Sequence, residues 1–379
     1  MTDPTDPTDD KSLRLRLADQ LAEGGHLRTA PWRTAVEDVP RHEYLRGGYF
    51  ERVDGPGPTA WTPVLPDDPR WLARCYADES LVTQIAGTIA PRDVRGAILR
   101  APTSSRTMPS LVVRMLEELQ VEDGHNVLEI GTGYSTGLLC HRSGDDAVTS
   151  VEVDQDVSAS AGVALGASGY FPNLIVGNGL TGDKDGGQRD RTIATCGVVR
   201  LPYAWVEQTR PGGIILATLC GWMYSSELAR LTVAEDGTAR GRFLGGQVSF
   251  MLARTQLPPP LGMLPDLDGG DEQPTSVGAD ALDDWDTRFV AQLATPRAQR
   301  ISLERDGRTE HVLIDVESAS WAALAQHGDT WTVRQGGPAR LWDAVAEHVT
   351  HWRRDGSPPL ERFEITVTPA GQAVTWPRP

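Results

Sequence analysis

Between Val127 and Gly137 the chain reads Val-Leu-Glu-Ile-Gly-Thr-Gly-Tyr-Ser-Thr-Gly, an apolar strand running into a glycine-rich turn, with the carboxylate of Glu129 two residues before the first glycine. Gly131 and Gly133 let the backbone take angles closed to other residues and approach a ligand closely, and the residues after them open a helix. Such a unit marks a nucleoside-cofactor pocket. A second carboxylate, Glu152, closes the next predicted strand about 20 residues further on, where a doubly wound fold places the acid that accepts hydrogen bonds from ribose hydroxyls. NAD and S-adenosylmethionine would both use that acid. Two details favour S-adenosylmethionine: the turn is spaced G-x-G-x-x-x-G and not G-x-G-x-x-G, and no second mononucleotide-binding half follows. Glu129 is then placed to reach the methionine ammonium group of that cofactor or its bound water.

The elements that must position these groups follow from periodicity. Leu111, Val112, Met115, Leu116 and Leu119 recur at helical spacing and predict a helix leading into the glycine strand. Beyond the turn, Ala147 to Val153, an alanine-rich helix, Asn173 to Val176 and Arg191 to Thr195 alternate strand with helix, which predicts a mostly parallel sheet with helices on both faces. The fold class expected is α/β, the Rossmann-like doubly wound sheet of a class I S-adenosylmethionine-dependent methyltransferase, with late strands at Gly213 to Leu219 and Arg242 to Leu252. A helix from Leu13 to about Gly24 and a Gly/Pro-rich, tryptophan-containing stretch up to Arg70 read as a cap with long loops. Residues 257–280, with Pro258-Pro-Pro260 and Gly269-Gly270, break every period and read as a linker. The expected organisation is an acidic disordered tail (1–10), a catalytic domain (11–256, with an N-terminal cap over 11–100 and the cofactor-binding core over 101–256), the linker, and a C-terminal α+β substrate-recognition domain (281–379).

Composition narrows the partners. The 379 residues are 23% charged and 39% hydrophobic, as in a folded soluble protein, and a formal net charge of -16 argues against wrapping a phosphate backbone, so nucleic acid is excluded as a partner. Residues 1–10 carry neither a basic n-region nor an apolar h-region, and the apolar run Gly213 to Cys220 is far shorter than the roughly 20 residues needed to span a bilayer, so a cytoplasmic chain without a membrane partner is expected. Cys75, Cys140, Cys196 and Cys220 are scattered and form no C-x-x-C pair, which points to free buried thiols. His348 and His351 fall on one helical face, but no neighbour supplies a third ligand and no metal is expected.

From about Lys11 to Gln256 the chain resembles the protein-L-isoaspartate O-methyltransferase family. Val39-Pro-Arg-His42 is similar to that family's Val-Pro-Arg segment, Thr107-Met-Pro109 to its Ser-x-Pro active-site loop, Val127 to Gly137 to methyltransferase motif I, Val151-Glu-Val-Asp154 to the ribose-binding strand end, and Gly177-Asn-Gly179 to its Gly-Asp-Gly. Pro211-Gly-Gly213 looks like the turn before the late strand. The resemblance implies S-adenosylmethionine as cofactor, held by Ser105, Glu129, Gly131, Thr132, Gly133, Glu152, Val153, Asn178 and Gly179, and Thr107 as the hydroxyl that orients an acceptor carboxylate. Two positions depart from the family: Thr107 keeps a hydroxyl donor in place of serine, and Asn178 keeps an acceptor oxygen but loses the aspartate's charge. Ser104 and Ser105 leave the choice of hydroxyl open, and Pro109 sets the register that favours Thr107.

Toward the C-terminus, Arg340-Leu-Trp-Asp-Ala-Val345, Trp352 and Arg362 to Pro369 resemble the extension of actinobacterial relatives that tailor ribosomally made peptides, in particular the methyltransferases that accompany ATP-grasp ligases in graspetide pathways. Similar enzymes accompany lanthipeptide synthetases. The resemblance implies a cyclised precursor peptide as substrate, esterification of an ordinary aspartate, and an aspartimide as outcome. The alternatives are isoaspartate repair, lanthipeptide tailoring and a noncatalytic S-adenosylmethionine-binding scaffold.

Overall fold

A computed structural model describes residues 9–53, 55, 58–270, 272–305 and 307–378, and the chain divides into two compact units: Met1–Thr195 with Ala204–Leu216, and Cys196–Tyr203 with Ala217–Pro379.

The first unit begins with helix α1 (Asp10–Glu23), whose buried stripe is Leu13, Leu17, Ala18 and Leu21. Asp9 caps it by accepting from the backbone N–H groups of Lys11 and Ser12. Most of the expected acidic tail, residues 1–8, lies outside the described residues. Asp9 and Asp10 are corrected to helix cap and first turn, because an acid there satisfies otherwise orphaned N–H donors. After α2 (Ala30–Asp38) come strands β1 (Tyr49–Val53) and β2 (Ala60–Val64), the short helix α3 (Trp71–Cys75), then β3 (Leu81–Ile85) and β4 (Pro102–Arg106). These strands form an antiparallel sheet in the order β2-β1-β3-β4, with Phe50, Val82 and Ile85 as its packed core. The cap is therefore partly sheet, and β4 carries it past residue 100 to the edge of the predicted active-site loop.

Helix α4 (Pro109–Leu119) follows with Pro109 in its first turn, where a missing N–H costs nothing. Strand β5 (Val127–Ile130) is buried at all four residues. It leads through the glycine turn into α5 (Tyr134–Ser143), then β6 (Val148–Glu152), α6 (Gln155–Ala167), β7 (Asn173–Val176), β8 (Arg189–Val198), α7 (Tyr203–Glu207) and β9 (Thr209–Cys220). β5 lies parallel to both β6 and β8, and β6 parallel to β7, in the order β9-β8-β5-β6-β7. The chain leaves β5 in one direction and returns on its other side, so the carboxyl end of β5 is a topological switch point, the crevice where such sheets bind ligands. Pro211 to Gly213 lie inside β9 and not ahead of it.

The second unit receives the last residues of β8 and β9. It adds β10 (Ser226–Val233), β11 (Ala239–Phe243), β12 (Gln273–Thr275), α8 (Trp285–Ala294), β13 (Gln299–Arg305), β14 (Arg308–Asp315), β15 (Ser320–His327), β16 (Thr330–Gly336), α9 (Leu341–Arg354), β17 (Glu364–Thr368) and β18 (Gly371–Thr375). β10, β11, β17 and β18 pair antiparallel in that order, and a second antiparallel sheet runs β12-β16-β15-β14-β13. The compact units thus do not separate at residues 257–280. Residues 217–256 group with the C-terminal part because β11 pairs with β17, from Ala239 opposite Val367 to Arg242 opposite Glu364. The segment read as a linker is built in: Leu267 is buried in a core with Val312, Ile314 and Trp321, β12 pairs with β16, and Asp268 forms ion pairs with Arg305 and Arg334. The strand expected to run to Leu252 stops at Phe243, where Gly245 and Gly246 take positive φ angles of 68° and 97°. Among the described residues no helix is long and apolar enough to cross a membrane.

Candidate active site

The glycine turn is built from the carboxyl ends of two strands. Gly131 has φ +98°, and a Cβ there would lie 2.4 Å from Thr195 Oγ1, so only glycine fits. Its N–H donates to Val151 O (2.8 Å), while the Thr132 N–H donates to Glu152 Oε2 (3.3 Å), which ties the turn to the second carboxylate. Glu152 also accepts from the Asp154 N–H through Oε1 (3.0 Å). The turn and both sequence-predicted acids are thereby brought together at the switch point.

Glu129 lies under this turn, fully buried. Its Oε2 accepts from Thr136 Oγ1 (2.5 Å) and Ser150 Oγ (3.1 Å), and Thr132 Oγ1 lies 2.8 Å from the same serine hydroxyl. Thr136 Oγ1 in turn accepts from the Gly133 N–H (2.9 Å). Burial pushes the Glu129 carboxyl up to about 7, against the pull of the Ser135, Thr136 and Ser150 hydroxyls, with Glu152 adding to the rise. Its second oxygen, Oε1, is sealed from solvent and lies within hydrogen-bonding geometry of no described residue, the Ser135 hydroxyl included. A buried acceptor of that kind is costly unless a ligand donor meets it. An ammonium group fits it, and the Gly131 cradle fits the close approach of a bulky cofactor.

Thr107 sits between β4 and α4, half-buried. Three contacts hold its loop: Arg41 Nη2 donates to Thr107 O (3.2 Å), the Met108 N–H donates to Ser80 Oγ (3.0 Å), and the Ser110 N–H donates to Asp78 Oδ1 (2.8 Å). The Thr107 hydroxyl makes no hydrogen bond to another described residue. Ser104 Oγ, by contrast, already accepts from Thr83 Oγ1 (3.1 Å), and Ser105 stands opposite Val82 in the cap sheet.

At the other rim, Gly179 lies so close to β5 that a Cβ would meet Ile130 Cγ2 at 2.4 Å, and its carbonyl accepts from the buried Trp205 Nε1 (2.8 Å). Asn178 is exposed, and its Oδ1 caps the following 3₁₀ turn by accepting from the Leu180 N–H (3.1 Å). Val153, 41% exposed beside Glu152, offers apolar surface at this rim.

Periodicity does not reveal Arg41, Arg106, Ser150, Thr195 or Trp205, which shape the site from other elements. Arg41 alone had a signal, in the Val-Pro-Arg segment. Of the histidines in the second unit, His348 and His351 pack against Trp376, and His351 Nε2 lies 3.1 Å from Asp355 Oδ2. Cys75, Cys140 and Cys220 are buried and Cys196 is half-buried, and the four form no disulfide with one another.

Fold and site together define a class I S-adenosylmethionine-dependent methyltransferase. The family model "Protein-L-isoaspartate(D-aspartate) O-methyltransferase (PCMT)" matches residues 93–248. Protein-L-isoaspartate O-methyltransferase of Bradyrhizobium sp. (strain ORS 278) is 31% identical over 205 residues, covering 53% of this chain and 76% of the relative. That of Methanopyrus kandleri is 28% identical over 246 residues, covering 63% of this chain and 91% of the relative. The chain belongs to the protein-L-isoaspartate O-methyltransferase family, which comprises S-adenosylmethionine-dependent carboxyl methyltransferases. A solved protein-L-isoaspartate O-methyltransferase shares the fold with a TM-score of 0.55 at 19% identity, over 96% of this chain and 99% of its own, so the likeness runs beyond the residues that the family model matches.

Proposed function

We propose that this protein esterifies a peptide carboxylate with the methyl group of S-adenosylmethionine, and that Thr107 orients that carboxylate. The unpartnered Glu129 Oε1 beneath the glycine turn is the observation that carries the cofactor reading. In this reading Glu129 meets the methionine ammonium group, Glu152 the ribose hydroxyls, and Val153, Asn178 and Gly179 the adenine rim, with Ser105, Gly131, Thr132 and Gly133 lining the path between. When bound, S-adenosylmethionine supplies an electrophilic methyl group on sulfonium sulfur.

The chain's own task is positioning. An acceptor carboxylate with a reference pKa of about 3.9 is already ionised at neutral pH and needs no general base. Orientation alone is worth up to roughly 7 to 11 kcal/mol in favourable cases. The Thr107 hydroxyl, without a hydrogen bond to another described residue and fixed through its backbone by Arg41, is suited to donate to one carboxylate oxygen and leave the other aimed at the methyl carbon.

The acceptor we propose is the side chain of an aspartate in a ribosomally made, ATP-grasp-cyclised peptide, whose methyl ester closes to an aspartimide when the next backbone amide nitrogen attacks the ester carbonyl, loses its proton and expels the methoxy group as methanol. The resemblance of residues 340–369 to peptide-tailoring relatives supports this reading, and the second unit would serve recognition. A second reading, repair of isoaspartyl residues, is favoured by the relatives' own names. Incubation with a cyclised precursor peptide and with an isoaspartyl peptide separates the two: methyl transfer confined to the isoaspartyl peptide overturns the tailoring reading. Cofactor binding without transfer to either overturns the enzymatic one. Thr107→Ala should retain cofactor binding and lose turnover that Thr107→Ser restores.

A further inference from the structure

Among the described residues three arginines are buried: Arg41, Arg106 and Arg191. Arg41 spends both terminal nitrogens on backbone carbonyls, those of Cys75 and Ala77 from Nη1 and those of Glu79, Arg106 and Thr107 from Nη2. Arg191 likewise donates from Nε and Nη2 to the helix-end carbonyls at Leu119 and Gln120 and from Nη1 to Asp190 O. Arg106 differs. It is 7% exposed, and only Nε is engaged, donating to Tyr44 O (3.1 Å). Its terminal nitrogens make no hydrogen bond or ion pair with a described residue. Neither is sealed in the way Glu129 Oε1 is.

The position of this unspent cation is specific. Arg106 immediately precedes Thr107, and its guanidinium lies over the glycine turn: a Cβ on Gly133 would meet Nη1 at 3.4 Å. Glu152 acts on it electrostatically, holding its proton against the pull of burial, without closing to an ion pair. The turn is thus bracketed by two unspent groups of opposite sign, Glu129 Oε1 and the Arg106 terminal nitrogens. Burying a guanidinium without an anion is costly, and its forked donors match a carboxylate.

We propose that Arg106 is the carboxylate-binding cation of this active site. Two carboxylates come to the site in the reading above, on which this inference rests: that of the cofactor's methionine moiety and that of the acceptor peptide. The pairing of Arg106 with Glu129 across one turn matches an α-amino-acid group carrying both charges.

The test is calorimetric binding of S-adenosylhomocysteine, of its decarboxylated analogue and of 5′-methylthioadenosine to the wild type, R106Q and R106K, alongside steady-state kinetics with a peptide acceptor. Loss of a charge-assisted contact predicts about a ten- to hundredfold weaker S-adenosylhomocysteine complex in R106Q, partial recovery in R106K, and no change for the two ligands lacking a carboxylate. If S-adenosylhomocysteine affinity holds while the peptide KM rises by a similar factor and recovers in R106K, the carboxylate bound is the acceptor's. The proposal is overturned if R106Q changes neither quantity, or if all three nucleosides weaken together, since Arg106 would then only shape the turn. A wild type that binds no S-adenosylhomocysteine overturns the cofactor reading instead.

Discussion

Arg41 donates a hydrogen bond to the carbonyl of Thr107, 66 residues further along the chain, from a guanidinium with no exposed surface. Its hydrogen-bond partners among the described residues are backbone carbonyls, at the end of α3 and just after it and at the end of β4 and just after it, so one side chain gathers the cap around the loop that carries Thr107. Truncation by Arg41→Ala leaves several buried carbonyls unpaired, each costing about 1–3 kcal/mol. A loss of about 3 kcal/mol or more in urea unfolding is expected, and Arg41→Lys, a point donor in place of a fork, should recover only part of it.

If Glu129 meets the cofactor as proposed, cofactor binding is expected to depend on pH. Its carboxyl is raised in the folded protein from an ordinary value of 4.5 to about 7, so the folded state holds the proton more tightly than the unfolded one. Stability without cofactor is therefore greatest below about pH 4.5 as far as this group is concerned and falls as pH rises toward 7, by up to roughly 3 kcal/mol. A bound ammonium favours the ionised form. Affinity for S-adenosylhomocysteine should thus weaken by up to about tenfold per pH unit below 7, with proton release in calorimetry, and Glu129→Gln should flatten that profile.

Gly131 carries two constraints at once, a positive φ and the Thr195 hydroxyl at 2.4 Å from any added Cβ. Gly131→Ala is expected to cost on the order of 1–3 kcal/mol from backbone strain alone and to abolish measurable cofactor binding. Adding Thr195→Ala relieves the clash but not the strain, so thermal stability should recover only in part.

Trp205 holds Gly179, part of the proposed adenine rim, from behind through its bond to Gly179 O. Trp205→Phe keeps most of the apolar volume and removes the donor, which should cost about 1–3 kcal/mol of stability by leaving a buried carbonyl unpaired. Binding of 5′-methylthioadenosine should weaken with it, whereas a rim indifferent to Gly179 would leave that affinity unchanged.

What could be read directly from the residues was local in the chain. The glycine turn, the acids before and after it, the proline opening α4 and the strand-helix alternation all involve neighbours within a turn or a single strand-helix unit, where backbone sterics and hydrophobic period act without a distant partner. The cap sheet was missed because its strands interleave with Gly/Pro-rich loops that mask the period of two. The supposed linker was misread because Leu267 and β12 are ordered only by residues of β14, β15 and β16.

The sequence by itself determined a nucleoside-binding α/β core and S-adenosylmethionine as its cofactor, since both rest on residue types at short spacing; Thr107 as the positioning hydroxyl rests on the resemblance of its loop and belongs to the proposal. Only the tertiary structure decided that Arg41 would clamp Thr107, that β11 would pair with β17, and that Arg106 would stand over Gly133 with its terminal donors unspent. Hydrogen-bond partners far apart in sequence leave no periodic trace, and whether a buried charge is satisfied depends on every element packed around it.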